Sequence, residues 1–223
     1  HLGDCPICCL PLSLDVQKSG MTACCSKMIC KGCDYVNQIR EVEASLDPAC
    51  PFCRASLPEK GDYDKYRMKR LEANDPIAMR QEGIGKYYKG EHIKAFDYFT
   101  KAAKLGNAEA HNRLADLYHY GHGVEKDRGK EMYHLEEAAI GGHPNARRNL
   151  AWHEYHSGNT KKAVKHFIIA ASQGHDLSIK ALMEIFKEGY VSKDDLAAAL
   201  RAHQAAVDAT KSPQREAAEE CDW

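Results

Sequence analysis

The sequence predicts a mainly α-helical chain in two parts, a small cysteine-rich module followed by a solenoid of paired helices. Two observations predict this. Of the ten cysteines, nine lie between Cys5 and Cys53, and only Cys221 lies outside. From residue 75 onward, alanine pairs, glycines, aromatic or leucine positions and further leucines recur in one register.

The cysteines come first. Such density has two common meanings, a disulfide scaffold or a metal site. Spacing separates them: Cys5 with Cys8, Cys30 with Cys33, and Cys50 with Cys53 are all Cys-x-x-Cys pairs. Two intervening residues put both sulfurs on one side of a tight turn, within reach of one ion. One such pair is a weak signal, but three, with the adjacent Cys24 and Cys25, point to zinc, which takes four ligands at about 2.3 Å in a tetrahedron. Thiolates persist in a reducing compartment, so a cytoplasmic or nuclear location is expected. After the second Cys-x-x-Cys, Tyr35, Ile39, Val42 and Leu46 recur at helical spacing and predict a helix with an apolar stripe. Residues 58–74 are charged, including Lys65, Arg67, Lys69 and Arg70, and read as a linker that is partly helical around Met68 and Leu71.

The repeats follow. Ala102-Ala103, Ala138-Ala139 and Ala170-Ala171 are 36 and 32 residues apart. Gly106, Gly142 and Gly174 keep the same intervals, as do Phe99, Leu135 and Phe167, and Leu114, Leu150 and Leu182. Four columns in one register indicate repeated units of two helices each. Asp75 and Asn107 are N-caps, and Pro76 and Pro144 suit the first helical position. Paired alanines let helices approach closely, and the glycine ends the second helix in a left-handed conformation. The longer unit has an extended turn over residues 120–127 with Gly121 and Gly123. A fourth unit is expected over 175–209, and Ser212-Pro213 starts a short final helix. One helix pair cannot bury its own apolar face, whereas stacked pairs form a solenoid with a concave surface.

The two-helix unit resembles tetratricopeptide repeats. The second unit is similar to the Sel-one-like subfamily: Ala110, Leu114, Ala115, Leu117 and Tyr118, then Gly121-x-Gly123-Val124-x-x-Asp127, then Glu137-Ala138-Ala139. The third unit keeps only Ser157-Gly158 of the glycine turn. The resemblance implies a surface for a protein substrate or scaffold partner.

Residues 5–54 resemble the RING family, whose ligand pairs interleave. The resemblance implies that Cys5, Cys8, Cys30 and Cys33 hold the first zinc and Cys24, Cys25, Cys50 and Cys53 the second. Two cross-braced ions fix a domain too small for a sufficient apolar core. Most RINGs carry a histidine where this chain has Lys27, and none occurs between Leu2 and Lys60; the adjacent Cys24 and Cys25 fill that vacancy. Cys9 is left over as a free thiol. RING ubiquitin ligases dock a ubiquitin-conjugating enzyme and act by positioning. The matching docking positions are Ile7, Pro51, Phe52 and Arg54, with no covalent catalytic residue. Alternatives for each are zinc-loop packing for Ile7, a rigid turn for Pro51 and a solvated charge for Arg54.

The expected architecture is therefore a cross-braced two-zinc RING module at 1–57, a linker at 58–74, four Sel-one-like repeats at 75–210, and a capping helix and tail at 211–223. Lys and Arg number 31 against 32 Asp and Glu, so neither nucleic acid nor a membrane surface is the expected partner. No apolar run is long enough to span a bilayer, and no signal or transit peptide is seen, although the chain begins at His1 and an earlier segment could be missing. His119 with His122 and His153 with His156 are spaced to join a metal, but exposed or capping roles suffice. Arg147-Arg148 could meet an acidic partner; a solvated helical face explains them as well. Two functions compete: a RING-type ubiquitin ligase, and a non-catalytic zinc-stabilised adaptor.

Overall fold

The computed structural model describes residues 3–57 and 63–221. The start of the expected linker (58–62), the first two residues and the last two residues of the expected tail lie outside the described residues. The chain divides into two compact units, one comprising His1–Ala73 with Val207–Trp223 and the other Asn74–Ala206.

In the second unit the first six helices pair in sequence. Its helices are α3 (Pro76–Tyr88), α4 (His92–Lys104), α5 (Ala108–Tyr120), α6 (Arg128–Ile140), α7 (Pro144–His156), α8 (Thr160–Ala171), α9 (Asp176–Lys187) and α10 (Lys193–Asp208), the last of which runs on into the first unit; α1 and α2 belong to the first unit. α3 packs on α4, α5 on α6 and α7 on α8, and each pair packs on the next. The sequence columns are the core: Phe99, Leu135, Phe167, Leu114, Leu150, Leu182 and all six paired alanines are buried. Ile179, Leu182 and Ile185 of α9 join Val191 and Ala199 in a cluster that also takes in Phe167 and Ala171 of α8.

Each joint between pairs uses one residue twice. Gly106, Gly142 and Gly174 are left-handed, with φ of 80°, 82° and 84°. The following residue, Asn107, His143 or His175, donates its backbone N–H to Ala102, Ala138 or Ala170 at 3.1, 2.9 and 3.3 Å, closing the preceding helix. The same residue then caps the next helix: Asn107 Oδ1 accepts from Ala110 N at 2.9 Å, His143 Nδ1 from Ala146 N at 3.2 Å and His175 Nδ1 from Ser178 N at 3.2 Å.

His175, accepting through Nδ1, carries its proton on Nε2 in the neutral form. His175 Nε2 accordingly faces Asn145 Oδ1 at 2.8 Å. Burial, aided by the Arg148 charge, brings His175 down to about 4. The unfolded ring titrates near 6.5, so the unfolded chain binds a proton that the fold refuses between those values. Stability from this group is complete above pH 6.5 and falls as the pH drops toward 4. His175→Asn keeps a cap acceptor that does not titrate. Its denaturation midpoint should therefore fall less than that of wild type between pH 6.5 and 4; parallel curves would show that His175 carries no such linkage.

In the long turn between α5 and α6, Gly123 has φ of 74°, and a Cβ there would lie 2.7 Å from the His92 carbonyl carbon. Gly123→Ala should cost at least about 1 kcal/mol in urea unfolding. Gly85→Ala, in the open on α3, should be neutral or stabilising.

The first unit has an antiparallel hairpin of β1 (Ser19–Met21) and β2 (Met28–Cys30), followed by α1 (Lys31–Glu43) and α2 (Tyr63–Glu72). Its apolar core is slight: Leu12 and Ile29 packed among Cys5, Cys30 and Cys33. The expected apolar stripe on α1 is not its buried face. Val42 is 77% exposed and Leu46 51%. The helix instead buries Gly32, Cys33, Asn37 and Glu41. Polar groups suit that face because the loop opposite presents unpaired backbone: Glu41 accepts from Ala49 N at 3.0 Å, and Asn37 donates to Ala49 O at 3.2 Å. Asn37 also donates to Glu41 at 2.8 Å.

The final helix, α11 (Pro213–Glu220), starts where Ser212-Pro213 predicts, with Ser212 Oγ accepting from Arg215 N at 3.3 Å. The sequence reading makes it a capping helix; its partner in the fold is α1. Glycine makes this approach possible: a Cβ at Gly32 would lie 2.8 Å from Arg215 N. Lys18 pairs with Glu219 at 2.9 Å, and the Tyr35 hydroxyl meets Cys221 Sγ at 3.3 Å.

Candidate metal centre

Two loops of the first unit have one backbone pattern. In the first, Cys5 N donates to Leu10 O at 2.9 Å, Cys9 N donates to Cys5 O at 2.8 Å, and Asp4 bridges Pro11. In the second, Cys50 N donates to Ala55 O at 2.8 Å, Arg54 N donates to Cys50 O at 2.9 Å, and Ala49 bridges Ser56. The residue after the second cysteine is left-handed in both, with φ of 55° at Cys9 and 62° at Arg54. Cys9 thus occupies the turn position that Arg54 occupies in the other loop, outside both sulfur clusters.

Four further cysteines come from the hairpin and α1. Cys24 and Cys25 sit in the β1–β2 turn, where Thr22 Oγ1 meets Cys25 Sγ at 3.1 Å. Cys30 is the N-cap of α1, its sulfur accepting from Cys33 N at 3.4 Å. Two tetrads result: Cys5, Cys8, Cys30 and Cys33, and Cys24, Cys25, Cys50 and Cys53, each with all sulfurs within 4.8 Å of one another. The pairs are interleaved along the chain, as the family resemblance implies.

The donor set fits a tetrahedral ion. Metal–sulfur bonds of about 2.3 Å give an edge of about 3.8 Å. Cys8 and Cys30 sulfurs are 3.8 Å apart, Cys25 and Cys50 4.0 Å, and Cys24 and Cys53 3.3 Å. None of the ten cysteines is in a disulfide. Burial pushes the Cys24, Cys30, Cys33 and Cys53 thiols up, and close neighbouring sulfurs add to this at Cys24 and Cys33. Burial opposes ionisation at Cys8 and Cys50 too. There it is outweighed by the Leu10 backbone and Arg215 at Cys8, and by the Cys53 and Phe52 backbone at Cys50, which bring both to about 7. Crowded thiols of this kind ionise together only when a cation supplies the counter-charge.

Beside the tetrads, Ile7 is 41% exposed and Phe52 42%. Pro51 is half-buried, and Lys27 lies over the Phe52 ring at 5.6 Å from its centroid. Arg54 is exposed, but its Nη1 donates to Asn37 Oδ1 at 3.1 Å. Sequence reasoning missed Asn37; its place one turn after Cys33, on the tetrad side of α1, was the available signal.

The histidine pairs of the second unit are split. His119 Nδ1 and His153 Nε2 both meet Glu131 Oε1, at 2.9 and 2.8 Å. His122 Nδ1 pairs with the Tyr87 hydroxyl at 3.0 Å, and His156 stacks on Trp152. Glu131 is buried and lines a cavity of about 360 Å³ together with Trp152, Tyr120, Asp116 and Arg148. Arg147 donates to Ala139 O at 2.7 Å, so a backbone carbonyl holds it. Among the described residues no helix is long and apolar enough to cross a membrane.

Residues 78–107, 108–143 and 144–175 match the family model described as Sel1 repeat. Helices α9 and α10, where a fourth unit is expected, lie beyond the matched residues. A Sel1 repeat protein from Oxalobacter formigenes has a similar crystal structure, with a TM-score of 0.57 and 21% identity over 79% of this chain and 72% of that one. A protective antigen of uropathogenic Escherichia coli, c5321, displaying an SLR fold, gives a TM-score of 0.51 and 19% identity, over 86% of this chain and 41% of that one. Both likenesses concern the fold. No curated protein matches the chain.

Proposed function

We propose that this chain, whose second unit carries Sel1 repeats that serve protein–protein interaction, is a RING-type ubiquitin ligase. Its cysteine module binds two zinc ions, as four-cysteine sites, and docks a ubiquitin-conjugating enzyme. The repeats hold the protein substrate, their concave face being the binding surface. The observation that carries this reading is the interleaving of the two tetrads with exposed apolar residues beside both. Ile7 and Phe52 lie inside the two loops of matching backbone, within the Cys-x-x-Cys pairs of different tetrads. Zinc would supply structure alone, fixing loops that a core of Leu12 and Ile29 cannot hold.

Catalysis in this reading is positioning. Ile7, Pro51 and Phe52 make the apolar contact, and Arg54 steadies the ubiquitin thioester. A cytoplasmic or nuclear location belongs to this reading, since cysteine ligands kept out of disulfides suit a reducing compartment. The near-neutral charge leaves protein as the partner rather than nucleic acid or a membrane.

One observation favours the second reading, a non-catalytic adaptor: Arg54 is already engaged by Asn37 within the module. Discharge of ubiquitin from a charged conjugating enzyme onto free lysine separates the two. Stimulation by the zinc-loaded protein supports the ligase; none across a broad panel of conjugating enzymes leaves the adaptor.

A further inference from the structure

Arg215 lies on α11, far in sequence from the tetrads, yet its side chain reaches the first of them. Only 7% of its surface is exposed. Its Nη1 donates to Pro11 O at 2.7 Å and Thr210 O at 2.6 Å, and its Nη2 to Leu10 O at 3.2 Å and Cys8 Sγ at 3.4 Å. These partners are three neutral carbonyls and one sulfur, with no carboxylate among them. A guanidinium stays charged when buried, and a buried charge needs an opposite one nearby. Four thiolates around a divalent ion carry a net charge of −2. The first tetrad in its metal-bound form is the counter-charge in reach.

We infer that Arg215 is a positioning residue for the first metal site, holding Cys8 as a thiolate ligand by a charge-assisted N–H···S hydrogen bond from the C-terminal helix. This rests on the two-zinc reading above. The three carbonyl bonds hold the guanidinium plane, so the donor is fixed before the ion arrives. Gly32, within the Cys30-x-x-Cys33 pair, provides the room: a Cβ there would be 2.8 Å from Arg215 N and 2.9 Å from its Cα. Outer partners of metal ligands commonly change metal affinity by about 10–100-fold. The second tetrad is not among the Arg215 partners and should be indifferent to it.

The test is zinc release from the full chain, loaded with metal, to a chromogenic chelator. Wild type must first hold two ions; a smaller number overturns the two-zinc reading and this inference with it, before any variant is made. Arg215→Ala should release one of its two ions about tenfold faster, with the second unchanged. Lys18→Ala breaks the Lys18–Glu219 pair of the same helix without touching sulfur, and should release both at the wild-type rate. Arg215→Lys keeps the charge and should recover part of the loss, which also covers the case in which Arg215→Ala fails to fold. Mass-mapped alkylation of the zinc-loaded protein gives a second readout. Cys8 should become the first of the eight tetrad cysteines modified in Arg215→Ala, after Cys9 and Cys221, which lie outside both tetrads, because an N–H donor blunts a bound thiolate. Wild-type release by Arg215→Ala, equal acceleration of both ions, or identical behaviour of Lys18→Ala and Arg215→Ala would each overturn the role.

Discussion

Chelation of metal from the intact protein should unfold the cysteine module while most of the helical circular dichroism survives. The core cluster of the first unit packs only Leu12 and Ile29 among the first-tetrad cysteines, so its described apolar core is slight. Structural zinc contributes roughly 10–16 kcal/mol in small modules, more than the whole stability of many domains. The second unit has its core in the repeat columns and no metal cluster among its described residues. Elemental analysis should find about two zinc ions per chain, as two four-ligand sets require. Cys24→Ser and Cys25→Ser should each loosen one ion, since Lys27 offers no lone pair, and Lys27→Ala should leave both in place. One ion or none in wild type would sink the cross-braced arrangement. Full occupancy in Cys24→Ser would remove that residue from the ligand set.

Ile7→Ala should reduce ubiquitin discharge roughly thirtyfold with both zinc ions retained. The side chain is 41% exposed in a loop whose backbone is already fixed by Cys5 and Cys9 hydrogen bonds, so truncation leaves the loop intact. Loss of a central apolar contact in a small interface costs about 2 kcal/mol, which converts to the thirtyfold figure. Arg54→Ala should behave differently, sparing docking and slowing discharge. To reach a thioester, Arg54 Nη1 must first leave Asn37 Oδ1. If Asn37→Ala keeps both zinc ions despite losing its bond to Ala49 O, it should leave Arg54 function intact or raise it. Equal stimulation by wild type, Ile7→Ala and Arg54→Ala would keep a ligase but move its working surface elsewhere.

The parts of the molecule that were legible in the sequence are those with strong local spacing. Phe99, Leu135 and Phe167 are buried where their register put them, because neighbouring units impose the same environment on each. The glycines after the paired alanines are left-handed because a side chain is strained there. The tetrads gathered as the cysteine spacing and family resemblance implied, since a Cys-x-x-Cys turn constrains both sulfurs. What stayed hidden depends on contacts distant in sequence. The buried face of α1 could not be read from apolar spacing, because its partner is the unpaired backbone at Ala49, which calls for Asn37 and Glu41. Pairing of His119 with His153 through Glu131 joins three helices and has no local signature. Nor does the local sequence around Pro213 say that α11 returns to α1.

That return has a consequence for the order in which the protein is made. Ribosomes add about 5–20 residues per second, and domains generally fold as they emerge. The last tetrad cysteine, Cys53, leaves the ribosome long before Arg215 does, by roughly ten to thirty seconds at that pace. The repeats are synthesised and can close in the interval. The first unit is therefore completed only after the repeats have been made, and until α11 emerges its thiols wait without that helix. Nascent chains stalled before residue 207 should expose those thiols to alkylation in a way that the released protein does not.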